Sequence, residues 1–249
     1  MSVSPIEFHL PSVTSTNDYA KELLESYPYV FVTALHQTAG RGRNGRAWFG
    51  EAGQNAYVSV GIRHSHDPLI EDLAAFMARA SLAVLAVLRE RAPGALFRLK
   101  YPNDVQARTG EGWAKIGGAL IEHQFQGDRC VSTVAGMGVN IMQEQFPETI
   151  DQPCTSLTLL GHPVDVSEFI QALKQKVSDI RTLPWTEIHR QWVEELDIIG
   201  KTVRLSGSDD QWIVTDILQD GRLTARNTST NHQRTITDGD SVRYEDRDQ

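Results

Sequence analysis

Hydrophobic positions along the chain fall into two regimes. Up to about residue 198, long segments carry either the helical or the strand repeat; beyond residue 200, short strand-like runs are broken by Gly, Asp and Asn turns. In the first regime, Ser15, Thr16 and Asn17 are cap-type residues, and Ala20, Leu23, Leu24 and Tyr27 follow at helical spacing, which predicts a helix start. The β-branched, apolar run 29–37 predicts a buried strand. A second strand is expected over 55–64, with Tyr57, Ser59 and Gly61 on one face and Val58, Val60 and Ile62 on the other. Residues 69–91 are rich in Ala and Leu at 3.6-residue spacing, a long buried helix ended by Pro93 and Gly94. Strands follow over 96–100, 104–108, 114–124 and 130–142, with turn signals between them that suggest an antiparallel meander. Amphipathic helices are expected over 167–180 and 185–196. After Gly200 five short strands predict a small all-β barrel of about fifty residues, a size at which a domain just folds alone.

Composition narrows the function. The chain has 249 residues, 40% hydrophobic, enough for one large and one small domain. The formal net charge of −8 argues against a protein that coats nucleic acid, so a cationic site must be a local cluster in an acidic body. Cys130 and Cys154 fit no metal-knuckle spacing and form no disulfide framework; they read as free thiols of a reducing compartment. No signal peptide or membrane-length apolar run is visible, so a cytoplasmic location is expected, without membrane partners.

One local cluster stands out. The stretch 37–48, QTAGRGRNGRAW, holds three glycines and three arginines, and its GRGRNG core matches the dinucleotide fingerprint G-x-G-x-x-G. That fingerprint needs a helix after its third glycine to hold the pyrophosphate. Here RAWFGEAGQNAY follows Gly45 with no helical period, and the next element is a strand, so the dinucleotide reading fails. No P-loop pattern occurs. Two readings of the cluster remain: a solvated basic loop, or a mobile loop that folds over an anionic ligand, with arginine forks binding phosphate or carboxylate and Trp48 stacking on a ring. Farther on, Lys100, Asn103 and Asp104 in KYPNDV suit a nucleotide with Mg²⁺, although a plain Pro-Asn-Asp turn would look the same. Lys115 leads into a glycine pair and an apolar strand. Glycines 136 and 138 sit inside another strand, where they cost stability unless something approaches closely, and Asn140 offers a polar tip. His64 and His66 have the spacing of metal ligands but are read as a solvated turn; Trp185 and Trp192 are read as core.

Taken in order, STN (15–17), QTAGRGRNGRAW, KYPNDV (100–105), KIGGALIE (115–122), GMGVNI (136–141) and TSL (155–157) resemble the biotin–protein ligases. The resemblance covers about residues 8–195, and the C-terminal module resembles that family's small barrel. It departs in having Tyr101 where the family usually has Trp and in a longer segment between Asp104 and Lys115. About fourteen residues precede STN, which leaves no room for the DNA-binding winged helix that some members carry, so no DNA-binding domain is expected. The resemblance implies an α+β fold: a mixed, mostly antiparallel sheet with helices, of the class II synthetase-like kind, in a catalytic domain 1–198, and an SH3-like β-barrel over 199–249. It implies ATP-dependent attachment of biotin to a lysine of a biotin carboxyl carrier domain through biotinyl-5′-AMP, by a monomer or homodimer. By carry-over, Ser15, Thr16, Asn17, Gln37, Gly40, Arg41, Gly42, Arg43, Lys115 and Gly118 surround biotin. Arg46, Trp48, Lys100, Asn103 and Asn140 face ATP, and Asp104 helps hold Mg²⁺, directly or through water. Lys115 and Arg43 are the catalytic candidates. A lipoate–protein ligase, sharing fold and adenylate chemistry, and a nucleic-acid-binding module are the alternatives.

Overall fold

The computed structural model describes residues 4–244. Seven strands form one sheet in the order β1-β2-β3-β7-β6-β5-β4: β1 (Ile6–Leu10), β2 (Tyr29–Ala34), β3 (Asn55–Arg63), β4 (Phe97–Lys100), β5 (Asp104–Thr109), β6 (Gly112–Gln126) and β7 (Arg129–Asn140). Every pairing in it is antiparallel except β1 with β2. The expected meander of β4 to β7 is present. β1 was not anticipated: its IEFHL pattern is short and its inward face thin, and its parallel partner is fixed by contacts across the intervening helix rather than by a local turn.

The sheet is covered unequally. Helix α1 (Thr16–Leu23) lies on one face, where Ala20 and Leu24 pack on Val30, Val32 and Val134. On the other face, α2 (Ile70–Arg91), α3 (Val166–Arg181) and α4 (Trp185–Leu196) pack together over Phe31, Val58, Val60, Ile116 and Val139. The alternation expected for β3 therefore holds, with Val58 and Val60 under the three helices and Ser59 and Gly61 towards α1. Trp192 is buried in this core and Trp185 packs against it. Residues 64–69 carry no metal cluster: His64 Nε2 lies 2.8 Å from Thr133 Oγ1, and among the described residues no three His, Cys, Asp or Glu side chains converge. Among the described residues, too, no helix is long and apolar enough to cross a membrane.

The five C-terminal strands lie where the pattern put them: β8 (Thr202–Leu205), β9 (Gln211–Ile217), β10 (Leu223–Asn227), β11 (Gln233–Ile236) and β12 (Val242–Tyr244). Their order is β11-β10-β9-β8-β12, an antiparallel sheet in which, among the described residues, no ladder joins β11 to β12. Ile217, Leu223 and Val203 belong to the same continuous apolar core as Trp192, Leu196 and Ile198, which fastens this module to α4.

Candidate active site

The α1 side of the sheet that α1 does not cover is open, and a cleft of about 540 Å³ lies there, with its far wall supplied by the 238–243 segment of the C-terminal module. Every site residue expected from the resemblance lines this cleft except Gly40, which sits behind it; a Cβ on Gly40 would meet Trp48 O at 3.0 Å and Gln37 Nε2 at 3.1 Å.

One end of the cleft is a buried hydrogen-bonding nest. Ser15 is the N-cap of α1 but its side chain makes no capping bond; the cap-type residues serve the cleft instead. Gln37 Oε1 accepts from Thr16 N (2.8 Å) and Thr16 Oγ1 (3.0 Å). Ser59 Oγ lies 2.8 Å from Thr16 Oγ1 and 2.6 Å from Asn17 Oδ1. Asn17 Nδ2 donates to Glu122 Oε2 at 2.7 Å. Gly136 makes room for this: a Cβ there would stand 2.2 Å from Asn17 Oδ1. The glycines of β7 thus admit the protein's own side chains, since a Cβ on Gly138 would likewise stand 2.7 Å from the Trp48 ring.

The other end is cationic. A bulge between Val105 and Gln106 leaves Ile116 without an opposite partner, and on its far side Lys115 pairs not with β7 but with the 153–155 segment, through Lys115 N to Pro153 O (2.8 Å) and Thr155 N to Lys115 O (2.9 Å). Lys115 Nζ then reaches Asp104 Oδ1 at 2.5 Å, and Trp48 lies 5.3 Å from the same ammonium. The segment before Lys115 forms the β5–β6 hairpin, closed by the pairing of Thr109 with Gly112. Asn103 Nδ2 donates to Ala119 O and Asn140 Nδ2 to Thr155 O, so both amides brace the loops of the cleft while lining it. Burial raises the Cys154 thiol above its ordinary value, with Lys115 opposing.

The arginine-rich stretch has a local fold of its own. Arg41 bridges Ala47, Gly42 N donates to Arg46 O (2.7 Å), and Arg46 N to Arg43 O (3.2 Å), which makes a hairpin whose tip is Asn44 and Gly45, both left-handed at φ 54° and 71°. Asn-Gly is the residue pair such a two-residue hairpin demands. The signal was present in the sequence but lay inside the glycine fingerprint. Ion pairs from two arginines hold the hairpin. Arg41 reaches both Asp18 oxygens at 2.5 Å and Glu122 at 3.0 Å. Arg41 lines the cleft, and those carboxylates hold its guanidinium so that it clasps the hairpin to α1 and β6. The Arg41 hydrogen bonds hold the Asp18 carboxyl below the usual range, and Asp18 in turn raises Arg41. Burial works against the Glu122 anion, but bonds from Lys21, Asn17 and Arg41 outweigh it and lower its carboxyl. Arg43 Nε donates to Asp240 Oδ2 at 2.9 Å across 197 residues of chain.

Tyr101 joins the cleft to the C-terminal module. Its N–H donates to the Tyr244 hydroxyl at 2.9 Å and its own hydroxyl to Gly221 O at 3.0 Å, a bond that a tryptophan could not make in the same way. Burial pushes the Tyr101 phenol up to about 12. Ser59, Glu122 and Asp240 were not named as site residues from the sequence, and Tyr101 was noted there only as a departure from the usual Trp; each owes its place to pairing between segments far apart in the chain.

Residues 9–140 match the model of the biotin/lipoate A/B protein ligase family. The chain is 34% identical over 205 residues to the biotin–[acetyl-CoA-carboxylase] ligase of Mycobacterium tuberculosis, an alignment covering 78% of this chain and 72% of that one. It is 28% identical to the enzyme of the same name from Paracoccus denitrificans, with 87% and 92% covered. It is 29% identical to the bifunctional ligase/repressor BirA of Bacillus subtilis, of which it spans 60% of the length. In fold it is similar to the biotin protein ligase of Aquifex aeolicus, solved with biotin and ATP (24% identity, TM-score 0.72, covering 96% of this chain and 98% of that one). The chain belongs to the biotin/lipoate A/B protein ligase family, on its biotin protein ligase branch.

Proposed function

We propose that this chain couples biotin to ATP, giving biotinyl-5′-AMP and pyrophosphate, and then transfers the biotinyl group to a lysine of the biotin carboxyl carrier domain of acetyl-CoA carboxylase. The observation that carries this reading is the convergence, in one cleft, of a buried hydrogen-bonding nest with a cluster of fixed cations built round Lys115. The relatives' names support biotin as the acid and the carboxylase as the acceptor.

The first step brings a carboxylate against a polyphosphate. Two unit charges about 4 Å apart repel by about 4 kcal/mol at a near-surface dielectric, so cations fixed at the meeting point lower the barrier directly. Lys115, held against Asp104 and so kept from wandering, is placed to stabilise charge developing on the α-phosphate. Arg43 orients the biotin carboxylate and the phosphate. Arg46, Trp48, Lys100, Asn103 and Asn140 form the nucleotide wall. Ser15, Thr16, Asn17 and Gln37 present donors and acceptors suited to the ureido ring, and Ala119, Leu120 and Met137 give apolar cover to the thioether ring and tail. Asp104, a single carboxylate beside the cationic end, fits a Mg²⁺ that is held mainly by substrate phosphates, and such an ion would neutralise phosphate charge. In the second step the carrier amine attacks the acyl carbonyl and AMP leaves. Enclosure beneath the hairpin keeps water from the mixed anhydride meanwhile. Residues 1–198 are taken as the catalytic unit and 199–249 as the module that closes its cleft.

Biotin-dependent exchange of labelled pyrophosphate into ATP tests the reading. Exchange with biotin and none with lipoate supports it; exchange with lipoate alone selects the sister chemistry, and no exchange with either overturns both.

A further inference from the structure

We propose that Asp240 of the C-terminal module is a positioning residue for Arg43, and that through it the module governs how firmly the cleft retains its adenylate. The inference rests on the ligase reading and goes beyond it by assigning a task to one carboxylate of the module.

Arg43 has five N–H donors in a rigid fork. Among the described residues its side chain makes one hydrogen bond, Nε to Asp240 Oδ2 at 2.9 Å. A tether at Nε leaves the two terminal nitrogens side by side for a carboxylate or phosphate, and it fixes the plane in which they lie. Without it, the guanidinium at the end of a three-carbon stem would sample many rotamers. Asp240 is itself immobilised. It sits in a single 3-10 turn, Gly239–Ser241, capped by Asp238, whose Oδ1 accepts from Asp240 N at 3.0 Å. Arg243 Nη1 donates to Asp240 O at 2.5 Å. Gly239 is pressed on the KYPND turn, where a Cβ would stand 2.9 Å from Tyr101 and 3.0 Å from Pro102. The Asp240 side chain is only 12% exposed, so its pairing with Arg43 is shielded from competing water. Asn44 Nδ2 also donates to Asp240 Oδ2, at 3.0 Å, so the same oxygen holds the hairpin tip. The hairpin thus has two clasps. The Arg41 clasp joins the hairpin to α1 and β6, both before residue 198; the Asp240 clasp is the one that depends on the module.

The test compares wild type with Asp240→Ala, Asp240→Asn, Asn44→Ala, Arg43→Ala and the Asp240→Ala/Arg43→Ala double variant. Each is loaded with biotin and ATP, and labelled adenylate is followed as it leaves the enzyme; exchange kinetics give kcat and the KM for biotin. In Asp240→Ala, adenylate release is expected to rise about tenfold and kcat to fall about tenfold, with the biotin KM changed less than about threefold, because orientation rather than charge is lost. Asp240→Asn, which can still accept from Nε, is expected to lie between the two and keeps the turn foldable. In the Arg43→Ala background, Asp240→Ala is expected to add less than about twofold, the signature of one residue acting through the other. Unchanged release in Asp240→Ala, full additivity in the double variant, or an Asn44→Ala variant matching Asp240→Ala would overturn the proposal. A wild-type chain that exchanges pyrophosphate while Asp240→Ala behaves identically sinks the tether alone; a wild type inert with biotin sinks the ligase reading and the tether with it.

Discussion

Lys115 Nζ and Asp104 Oδ1 stand 2.5 Å apart at the cationic end of the cleft, on strands β6 and β5 that a bulge brings into this register. Both side chains are 16% exposed. The pair keeps a mobile ammonium at one point, and neither member belongs to the apolar core. Replacing Lys115 by Ala should therefore lower pyrophosphate exchange by about 10²-fold or more, the usual scale for losing a fixed charge at a developing anion. The fold should persist, with a loss of about 1–3 kcal/mol from the stranded carboxylate, readable in a urea melt. Exchange at the wild-type rate would mean another cation does this work.

Arg43→Ala should weaken biotin binding and release adenylate faster, by about tenfold or more, because its fork is directed by Asp240 into the cleft. Equilibrium dialysis with biotin and a release assay check the two effects separately. Retention equal to wild type would remove Arg43 from the site.

Ser59→Ala deletes one hydroxyl under Thr16 and Asn17, all three buried. The orphaned groups should cost about 1–3 kcal/mol, divided between thermal stability and biotin affinity. Calorimetric titration of biotin, with ATP binding as the control, separates them; reduced ATP binding with biotin binding intact would place the nest at the wrong end.

Gly138→Ala would set a methyl 2.7 Å from the Trp48 ring at a β7 position paired with both β3 and β6, where the backbone cannot retreat. The ring must move. The KM for ATP is expected to rise about tenfold while stability falls by about 1–3 kcal/mol. If steady-state kinetics with ATP are unaltered, Trp48 is not part of the nucleotide wall.

Stability should also fall in mild acid at a place remote from the cleft. His64 Nε2 and His123 Nδ1 both lie within 2.9 Å of Thr133 Oγ1, which can donate to one ring and accept from the other. Burial lowers both imidazoles below the ordinary value of 6.5. An unfolded chain then binds protons that the native one refuses, so their contribution is complete above about 6.5 and is lost as pH falls through the lowered native values. Urea midpoints between pH 7.5 and 5 should decline, and a His64→Gln/His123→Gln double variant should flatten that decline over about this range.

Much of this protein was legible as sequence because the signals were local. Periodicity placed β2 to β7, the four helices and the five C-terminal strands, since each repeat reports which face of one element is buried. The order of short motifs brought the cleft residues together before any coordinates did. β1 escaped because its partner is set by a parallel contact across α1, and the hairpin escaped because Asn44 and Gly45 lay inside the G-x-G-x-x-G fingerprint.

The sequence by itself determined which elements form and which residue types gather at one cleft, because side-chain period and turn chemistry act within a few residues. Only the tertiary structure decided what each cation does. Arg41 and Arg43 are two residues apart and chemically alike, yet one is occupied by Asp18 and Glu122 and the other is aimed by Asp240. Charges pair with whatever the fold brings within a few ångströms, and that distance is set by packing between strands that the chain's linear order does not reveal.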